Sequence, residues 1–167
     1  MCYNNNKYKS KGEIIMKKII SIILAGAMIL SLAACGTTTT SSLETKRVTL
    51  VGQINGADVD YRIEGTGDVA KKITQVMTTD ISMYDENTIR LRAAEVQLEY
   101  ALVAGLEYTY SISNGVLTET FVMDLSTPEN ISSLAGKGLV DNALNAESVS
   151  IQKTIDNMKA QGFTEKY

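Results

Sequence analysis

Two Asn-Gly dipeptides, each flanked by stretches in which apolar and polar residues alternate, constrain the fold most. Asn55-Gly56 follows an alternating run at residues 48–54, and Asn114-Gly115 follows another at residues 106–113. In both cases a second alternating run comes directly after the dipeptide. Asn-Gly favours the tight turns that join antiparallel strands, so the sequence predicts two β-hairpins.

A third strand is predicted over residues 69–80, after a turn at Gly65-Thr66-Gly67-Asp68. The apolar spacing in this segment also fits a helix, but its threonine-rich second half favours a strand. The clearest helix is predicted from Asp85, as N-cap, to Val103, with Gly105 as the stop. One apolar stripe supports this helix, formed by Ile89, Ala93, Val96, Tyr100 and Val103.

Two shorter helices are predicted near the end of the chain. Thr127-Pro128 is typical of a helix start, and Gly136 is the expected end of that helix. The last helix is expected to begin at Ser148 and to end at Gly162, with Phe163 folding back onto it. The order is therefore three strands, a helix, two strands and two helices.

This order predicts an α+β fold for a single domain at residues 47–167. We expect an antiparallel sheet of about five strands with two or three helices packed on one face.

The segment that precedes this domain has the layout of a bacterial export signal. Two lysines follow Met16, residues 19–32 are almost wholly apolar, and the segment ends in Leu32-Ala33-Ala34-Cys35, which matches a lipobox. Residues 16–34 are therefore predicted to be a lipoprotein signal peptide, cleaved between Ala34 and Cys35. The Cys35 thiol would carry a diacylglyceryl thioether. An uncleaved anchor is the alternative, although the apolar run is shorter than the roughly 20 residues of a spanning helix.

The flanking segments complete the predicted organisation. Residues 1–15 are polar and are interpreted as a translated leader before a true start at Met16, or as an extended n-region. Residues 35–46 comprise the lipidated cysteine and a Thr/Ser-rich flexible tether. The predicted product is a lipoprotein held by its lipid on the exported face of the bacterial cell envelope.

Composition excludes several functions. Residues 1–34 hold five of the 16 basic and one of the 19 acidic residues, so the chain from Cys35 onward has a net charge of −7. This charge argues against binding to nucleic acid or to anionic lipid headgroups. The chain has no histidine, Cys2 lies in the predicted leader and Cys35 is consumed by lipid. Histidine-dependent catalysis, transition-metal sites built on histidine or cysteine, and disulfides are therefore not expected. We expect no cofactor, and a monomer stabilised by its apolar core.

Three segments carry a resemblance. They are the lipobox, the helix that starts at Asp85-Glu86 and runs into Ala104-Gly105-Leu106-Glu107, and the ending Met158-Lys159-Ala160-Gln161-Gly162-Phe163. With this order of elements, the chain resembles the YehR-like small bacterial lipoproteins, a family whose domain has no assigned function. The resemblance supports the α+β fold and implies one functional residue, the lipidated Cys35.

Two motifs each have a structural and a chemical interpretation. Residues 65–70 fit the G-x-G-x-x-A dinucleotide fingerprint, but the preceding strand belongs to a hairpin, so a turn is the better interpretation. Ser150-Ile151-Gln152-Lys153 fits the S-x-x-K of penicillin-recognising enzymes. Because the companion motifs are absent from the sequence, Ser150 is better interpreted as a residue near the terminus of a helix.

Two sets of side chains could each form a binding site or have a structural role. Asp58, Asp60 and Glu64 share one strand face with Arg62 and could hold calcium, although alternation already predicts a solvated, ion-paired face. Three tyrosines could line a pocket or belong to the core and its rim: Tyr100, Tyr108 and Tyr110.

These observations favour a non-enzymatic module that binds an unidentified envelope partner or a small ligand, or that has a structural role. The alternative is a small envelope hydrolase that uses carboxylates as acid and base. Glu95, Glu99 and Glu119 are the candidate residues, although the sequence pairs no two of them convincingly.

Overall fold

The computed structural model describes residues 44–140 and 148–167, which form seven strands and three helices. The first half of this part contains β1 (Thr45–Ile54), β2 (Ala57–Thr66), β3 (Val69–Asp80), α1 (Glu86–Tyr100) and β4 (Leu106–Ser113). The second half contains β5 (Val116–Asp124), α2 (Pro128–Gly136), β6 (Val149–Ser150), α3 (Ile151–Ala160) and β7 (Thr164–Glu165). The predicted leader, signal peptide, lipobox and most of the tether lie outside the described residues.

The strands form one antiparallel sheet in the order β4-β5-β3-β2-β1-β7, and β6 pairs with one end of β3. The predicted α+β class is confirmed. The predicted number of about five strands is wrong, because the described residues contain seven. The two additional strands, β6 and β7, have two residues each, which is too short to produce an alternating pattern.

Both Asn-Gly dipeptides form the predicted hairpin turns. Asn55 and Gly56 have φ angles of 50° and 88°, and Asn114 and Gly115 have φ angles of 52° and 73°. Two central residues at positive φ define a turn whose twist matches that of the flanking strands. The third predicted strand, at residues 69–80, is also confirmed.

Alternate residues of β2 and β5 are buried, as β2 shows with Ala57, Val59, Tyr61 and Ile63. These side chains belong to the same apolar cluster as buried residues of all three helices, among them Val96, Leu134 and Ile155. The core therefore combines inward side chains of the sheet with buried side chains of all three helices.

Helix α1 begins as predicted and ends early. Its N-cap is Asp85, whose carboxylate accepts from the Thr88 backbone N–H at 2.8 Å. The helix ends at Tyr100, not at Val103, because the Val103 N–H donates to the Tyr100 carbonyl at 3.0 Å and closes a tight turn. Gly105, at a φ of +78°, then directs the chain into β4.

The caps of the other two helices lie close to their predicted positions. In α2 the N-cap is Thr127 and the last helical residue is Gly136, both as predicted, and the left-handed residue that follows is Gly138. In α3 the N-cap is Ser150, so the predicted start at Ser148 is wrong by two residues. The Ser150 hydroxyl accepts from the Lys153 N–H, which is the bond that defines the cap.

The predicted end of α3 is confirmed. Gly162 has a φ of +94°, and the Phe163 N–H donates to the Met158 carbonyl at 3.0 Å. This is the Schellman arrangement. The Phe163 ring then lies against β1, where a Cβ added to Gly52 would be 2.7 Å from the ring. Gly52 thus leaves the space in which Phe163 anchors the end of the chain on the sheet.

Candidate functional site

The most chemically unusual group in the described residues is the carboxyl of Glu119. It lies in the middle of β5, where the inward residues are Leu117, Glu119, Phe121 and Met123. The register places Glu119 between Met77 of β3 and Tyr110 of β4. Only 1% of the residue is exposed, so a carboxyl group is built into the apolar side of the sheet.

One oxygen of this carboxyl is bonded and the other is not. The Tyr108 hydroxyl donates to Glu119 Oε1 at 2.7 Å, whereas Glu119 Oε2 is buried without a hydrogen-bond partner. Burial raises the pKa of the Glu119 carboxyl to about 7, although the hydrogen bond from Tyr108 lowers it. Burial likewise raises the pKa of Tyr108, and the neighbouring Glu119 charge adds to that rise. Near neutral pH the carboxyl can therefore hold or release a proton.

An aromatic cluster surrounds the pair. The Tyr100 ring packs edge-on against Tyr108 and Phe121, with centroid separations of 5.7 and 5.9 Å. Tyr108 and Phe121 lie 4.9 Å apart, and Tyr110 stacks on Tyr108 at 6.4 Å. The structure thus brings together the three tyrosines whose position the sequence left open. Tyr100 and Tyr108 belong to the core and Tyr110 to its rim.

Further polar groups share this side of the sheet. Tyr61, Gln75, Phe121 and Tyr108 occupy one row across four neighbouring strands. The Tyr61 hydroxyl is buried without a partner, and so is the hydroxyl of Thr79. Burial holds the pKa of Tyr61 well above its usual range. The hydroxyls of Tyr61 and Thr79 can donate hydrogen bonds inside the core, but their burial keeps them from contact with a substrate in solution.

The surface carries an open groove of about 590 Å³ at the end of β1. Its lining includes Gln53, Asp58, Asp60 and Thr164. Gln53 Nε2 donates to Asp58 at 2.7 Å, and the Lys166 ammonium lies 3.7 Å from the Asp60 carboxylate. The acidic residues of the groove therefore already have partners from the protein.

The rest of the acidic strand face is also paired. Glu64 accepts from Arg47 Nε at 2.7 Å and lies 3.2 Å from Lys72. These pairs cross from β2 to both neighbouring strands, as the interpretation of a solvated, ion-paired face predicts. Within residues 44–140 and 148–167, no three acidic, cysteine or histidine side chains are grouped as a metal site requires.

The structure does not bring the three candidate carboxylates together. Glu95 forms a surface pair with Arg92 at 2.8 Å, and Glu99 forms one with Lys137 at 3.3 Å. Glu119 is buried with Tyr108. The sequence carries one signal for the buried position of this residue, because Glu119 occupies an inward position in the alternating run of β5.

Both sequence motifs have structural roles. Gly67, at a φ of +58°, lies in the turn between β2 and β3. Asp68 from the same turn accepts from the Ser150 hydroxyl at 2.6 Å and from the Gln152 N–H at 2.7 Å. Ser150 is the N-cap of α3. The two motifs therefore meet, and together they hold the start of α3 against the sheet.

Cys35 and Ala34, the predicted lipid attachment and cleavage positions, lie outside the described residues. Among the residues that are described, no helix is both long enough and apolar enough to cross a membrane.

Two solved structures share this fold. The NMR structure of the E. coli YehR protein aligns with 75% of this chain and 93% of its own, at 17% identity and a TM-score of 0.59. The NMR structure of a protein from Streptococcus pneumoniae TIGR4 covers 83% of this chain and 94% of its own, at 16% identity and a TM-score of 0.50. No family model and no curated protein matches the chain. The chain therefore has a YehR-like fold, as the sequence resemblance implies, and these identities show the fold alone.

Proposed function

We propose that this chain is a bacterial lipoprotein, tethered by a lipid on Cys35 to the exported face of the cell envelope. Its α+β domain acts there as a non-enzymatic binding or structural module. The observation that carries the proposal is the apolar segment 19–32 running into Leu32-Ala33-Ala34-Cys35. Small residues before the cut and a thiol after it are what lipidation and cleavage require.

The start of the sheet is compatible with such a tether. β1 begins at Thr45, so the Gly-, Thr- and Ser-rich residues that follow Cys35 precede the first strand. About ten flexible residues span roughly 17 Å, which separates a folded domain from lipid headgroups. Two or more acyl chains give stable anchoring without any membrane-binding surface on the domain.

A binding or structural role fits the carboxylates better than catalysis does. A general acid must come within hydrogen-bond distance of its substrate. Burial raises the pKa of the Glu119 carboxyl, but this group is enclosed in the core and bonded to Tyr108. The hydrolase that the sequence leaves open would depend on this residue, and a substrate would have to displace part of the core to reach it.

The sheet also offers a surface for a partner. We infer that the three helices cover one face of the sheet and that the opposite face is open. On that opposite face, the mid-strand residues of β3 and β5 are uncharged and half-buried, among them Thr74, Val76 and Thr120, whereas the neighbouring β2 carries the acidic strand face. A partner or small ligand of the envelope could bind here or in the groove beside Asp58 and Asp60.

Fatty-acid labelling tests the anchor. Cells that express the chain are grown with a radioactive fatty acid, and the immunoprecipitated protein is read on a gel. Cys35→Ala should lose the label and remain an unprocessed precursor. Cys2→Ala, the matched control at the chain's other cysteine, should retain the label. Label retained on the Cys35→Ala protein would refute the proposed anchor.

A further inference from the structure

Helix α1 has apolar side chains on two opposite sides. The side that faces the core comprises the buried residues Ile89, Ala93, Val96 and Tyr100. The other side carries Leu91, Leu98 and Leu102, which are 70%, 73% and 89% exposed. The spacings of these leucines, seven and four residues, place them in one line, about half a turn from the buried side. We call these three residues the leucine stripe. It faces away from the sheet, and a contiguous apolar patch of this kind marks an interaction site.

The charged residues around the leucine stripe are balanced. Every charged residue of α1 has a partner of opposite sign: Glu86 pairs with Arg90, Glu95 with Arg92, and Glu99 with Lys137. This balance contrasts with the net charge of −7 from Cys35 onward. The stripe therefore has neither the basic rim that attracts anionic headgroups nor an acidic excess of its own, and it suits an apolar surface with uncharged or zwitterionic headgroups.

One end of the leucine stripe lies at the end of the sheet where the chain enters. Thr45, the first residue of β1, pairs there with Thr66. Because neighbouring strands are antiparallel, this end also holds the start of β3, the end of β5 and the start of β4. The Asp124 N–H donates to the Gly105 carbonyl at this end, and Leu102 lies three residues before Gly105. The leucine stripe thus runs along α1 towards the end of the domain that is connected to Cys35.

We propose that the leucine stripe is a second membrane contact, at which α1 lies against the bilayer that holds the lipid of Cys35. This contact rests on the proposed lipid anchor. Residues 36–44 connect Cys35 to β1 and reach about 30 Å when fully extended. That reach exceeds the diameter of about 10–12 Å of a helix placed between the sheet and the bilayer. An anchored domain can therefore turn its α1 side onto the membrane.

The anchor explains why so small an apolar surface is sufficient. Three leucines on an acidic domain bind a bilayer weakly on their own, since interfacial affinity grows with buried apolar area and with basic charge. A tether converts this weak association into an intramolecular one at a high effective concentration. The leucine stripe then sets the orientation of the domain, with α1 towards the lipid and the opposite face of the sheet towards the solvent.

Fluorescence quenching in the full chain tests this contact. Leu98→Cys is purified as the lipoprotein, labelled with a thiol-reactive dye and reconstituted at low density into phosphatidylcholine vesicles. Cys35 carries lipid and Cys2 is removed with the signal segment, so the introduced thiol is the one that reacts. Thr109→Cys is the matched control. Thr109 is exposed on β4, the strand that α1 contacts, and its side chain lies on the opposite side of the sheet from that of the buried Tyr108.

We expect a nitroxide on the lipid tails to quench the dye at Leu98 at least about threefold more than the dye at Thr109, and aqueous iodide to show the reverse order. Leu102→Cys should behave as Leu98→Cys does. Circular dichroism melts confirm that the labelled variants are folded. Equal quenching at Leu98 and Thr109 would overturn the proposal. So would protection of Leu98 from iodide that rises with protein density and occurs without quenching by lipid, because a second copy would then cover the leucine stripe.

Mass spectrometry of the same sample separates this contact from the anchor. A sample without lipid on Cys35 would refute the proposed anchor and the membrane contact with it. A lipidated sample in which iodide quenches Leu98 and Thr109 equally would refute the contact alone.

Discussion

Tyr108 and Glu119 form a diagonal pair across β4 and β5, with the Tyr108 hydroxyl donating to Glu119 Oε1 at 2.7 Å. The same tyrosine accepts a hydrogen bond from Gln97 of α1 through its backbone carbonyl. One residue therefore joins the interior carboxyl, the edge strand and the helix beside it.

Stability should fall as the pH rises from about 4.5 to 7. Glu119 has a pKa of about 7 in the folded chain and the ordinary value of 4.5 when unfolded, so the folded state binds its proton more tightly. The contribution of Glu119 to the stability of the folded state is fully present below the pKa of the unfolded state. It is lost as the pH rises through the pKa of the folded state. The loss is at most about 3 kcal/mol, since one pKa unit corresponds to about 1.4 kcal/mol.

Urea unfolding at pH 5 and pH 8 measures this effect. Glu119→Gln should remove most of the pH dependence, because an amide is neutral at both values and its oxygen can still accept from Tyr108. Glu107→Gln, a change at an exposed carboxylate of β4, should keep the dependence of the parent. An unchanged pH slope in Glu119→Gln would show that this carboxyl does not titrate in the folded protein with a raised pKa.

Tyr100→Ala should be far more destabilising than Asp60→Ala. Tyr100 is 9% exposed and packs edge-on against two rings, so its truncation leaves a cavity that costs about 3 kcal/mol. Asp60 is exposed and its Lys166 contact is long at 3.7 Å, so its loss should stay within about 0.5 kcal/mol. The midpoints of urea melts compare the two variants. A larger effect at Asp60 would mean that the acidic strand face contributes to the structure.

Local sequence signals predicted the parts of this fold that depend on neighbouring residues. The Asn-Gly turns and the caps at Asp85 and Thr127 involve groups within a few positions of each other, and each appears in the structure. β6 and β7 depend on distant partners, since Val149 pairs with Ala70 and Thr164 with Val51. Pairings of two residues leave no period in the sequence, so they could not be predicted.

Less of the candidate site than of the fold could be predicted from the sequence. Alternation already places Glu119 in the inward phase of β5, but its partner Tyr108 lies on another strand. The cap of α3 shows the same limit, because Asp68 contacts Ser150 from a turn 82 residues earlier.

Gly65→Ala and Gly136→Ala should have opposite effects. A Cβ at Gly65 would collide with the Val69 carbonyl oxygen, so the β2–β3 turn must distort, at a cost of several kcal/mol. Gly136 ends α2 with open space around it, and alanine there should be neutral or stabilising by up to about 0.5 kcal/mol. Thermal melts of both variants measure the difference. Equal melting temperatures would contradict the close approach at Gly65.

Asp68→Ala should loosen the start of α3 without unfolding the sheet. The Asp68 carboxylate accepts from the Ser150 hydroxyl and the Gln152 N–H, and so satisfies the first turn of the helix together with the Ser150 cap. Its removal should cost about 1–2 kcal/mol, the usual cost of losing a cap.

Amide hydrogen exchange locates this effect along the chain. Exchange should accelerate in the first turn of α3, at Gln152 and Lys153, and should change little in the β2–β3 pairing around Ile63 and Ile73. Asp156→Ala is the matched control, since Asp156 lies on the same helix and accepts only a side-chain bond from Gln152 among its contacts in the described part of the chain. If Asp68→Ala left exchange at Gln152 and Lys153 unchanged, Ser150 alone would be sufficient to cap α3, and the turn that carries Asp68 would serve only to connect β2 and β3.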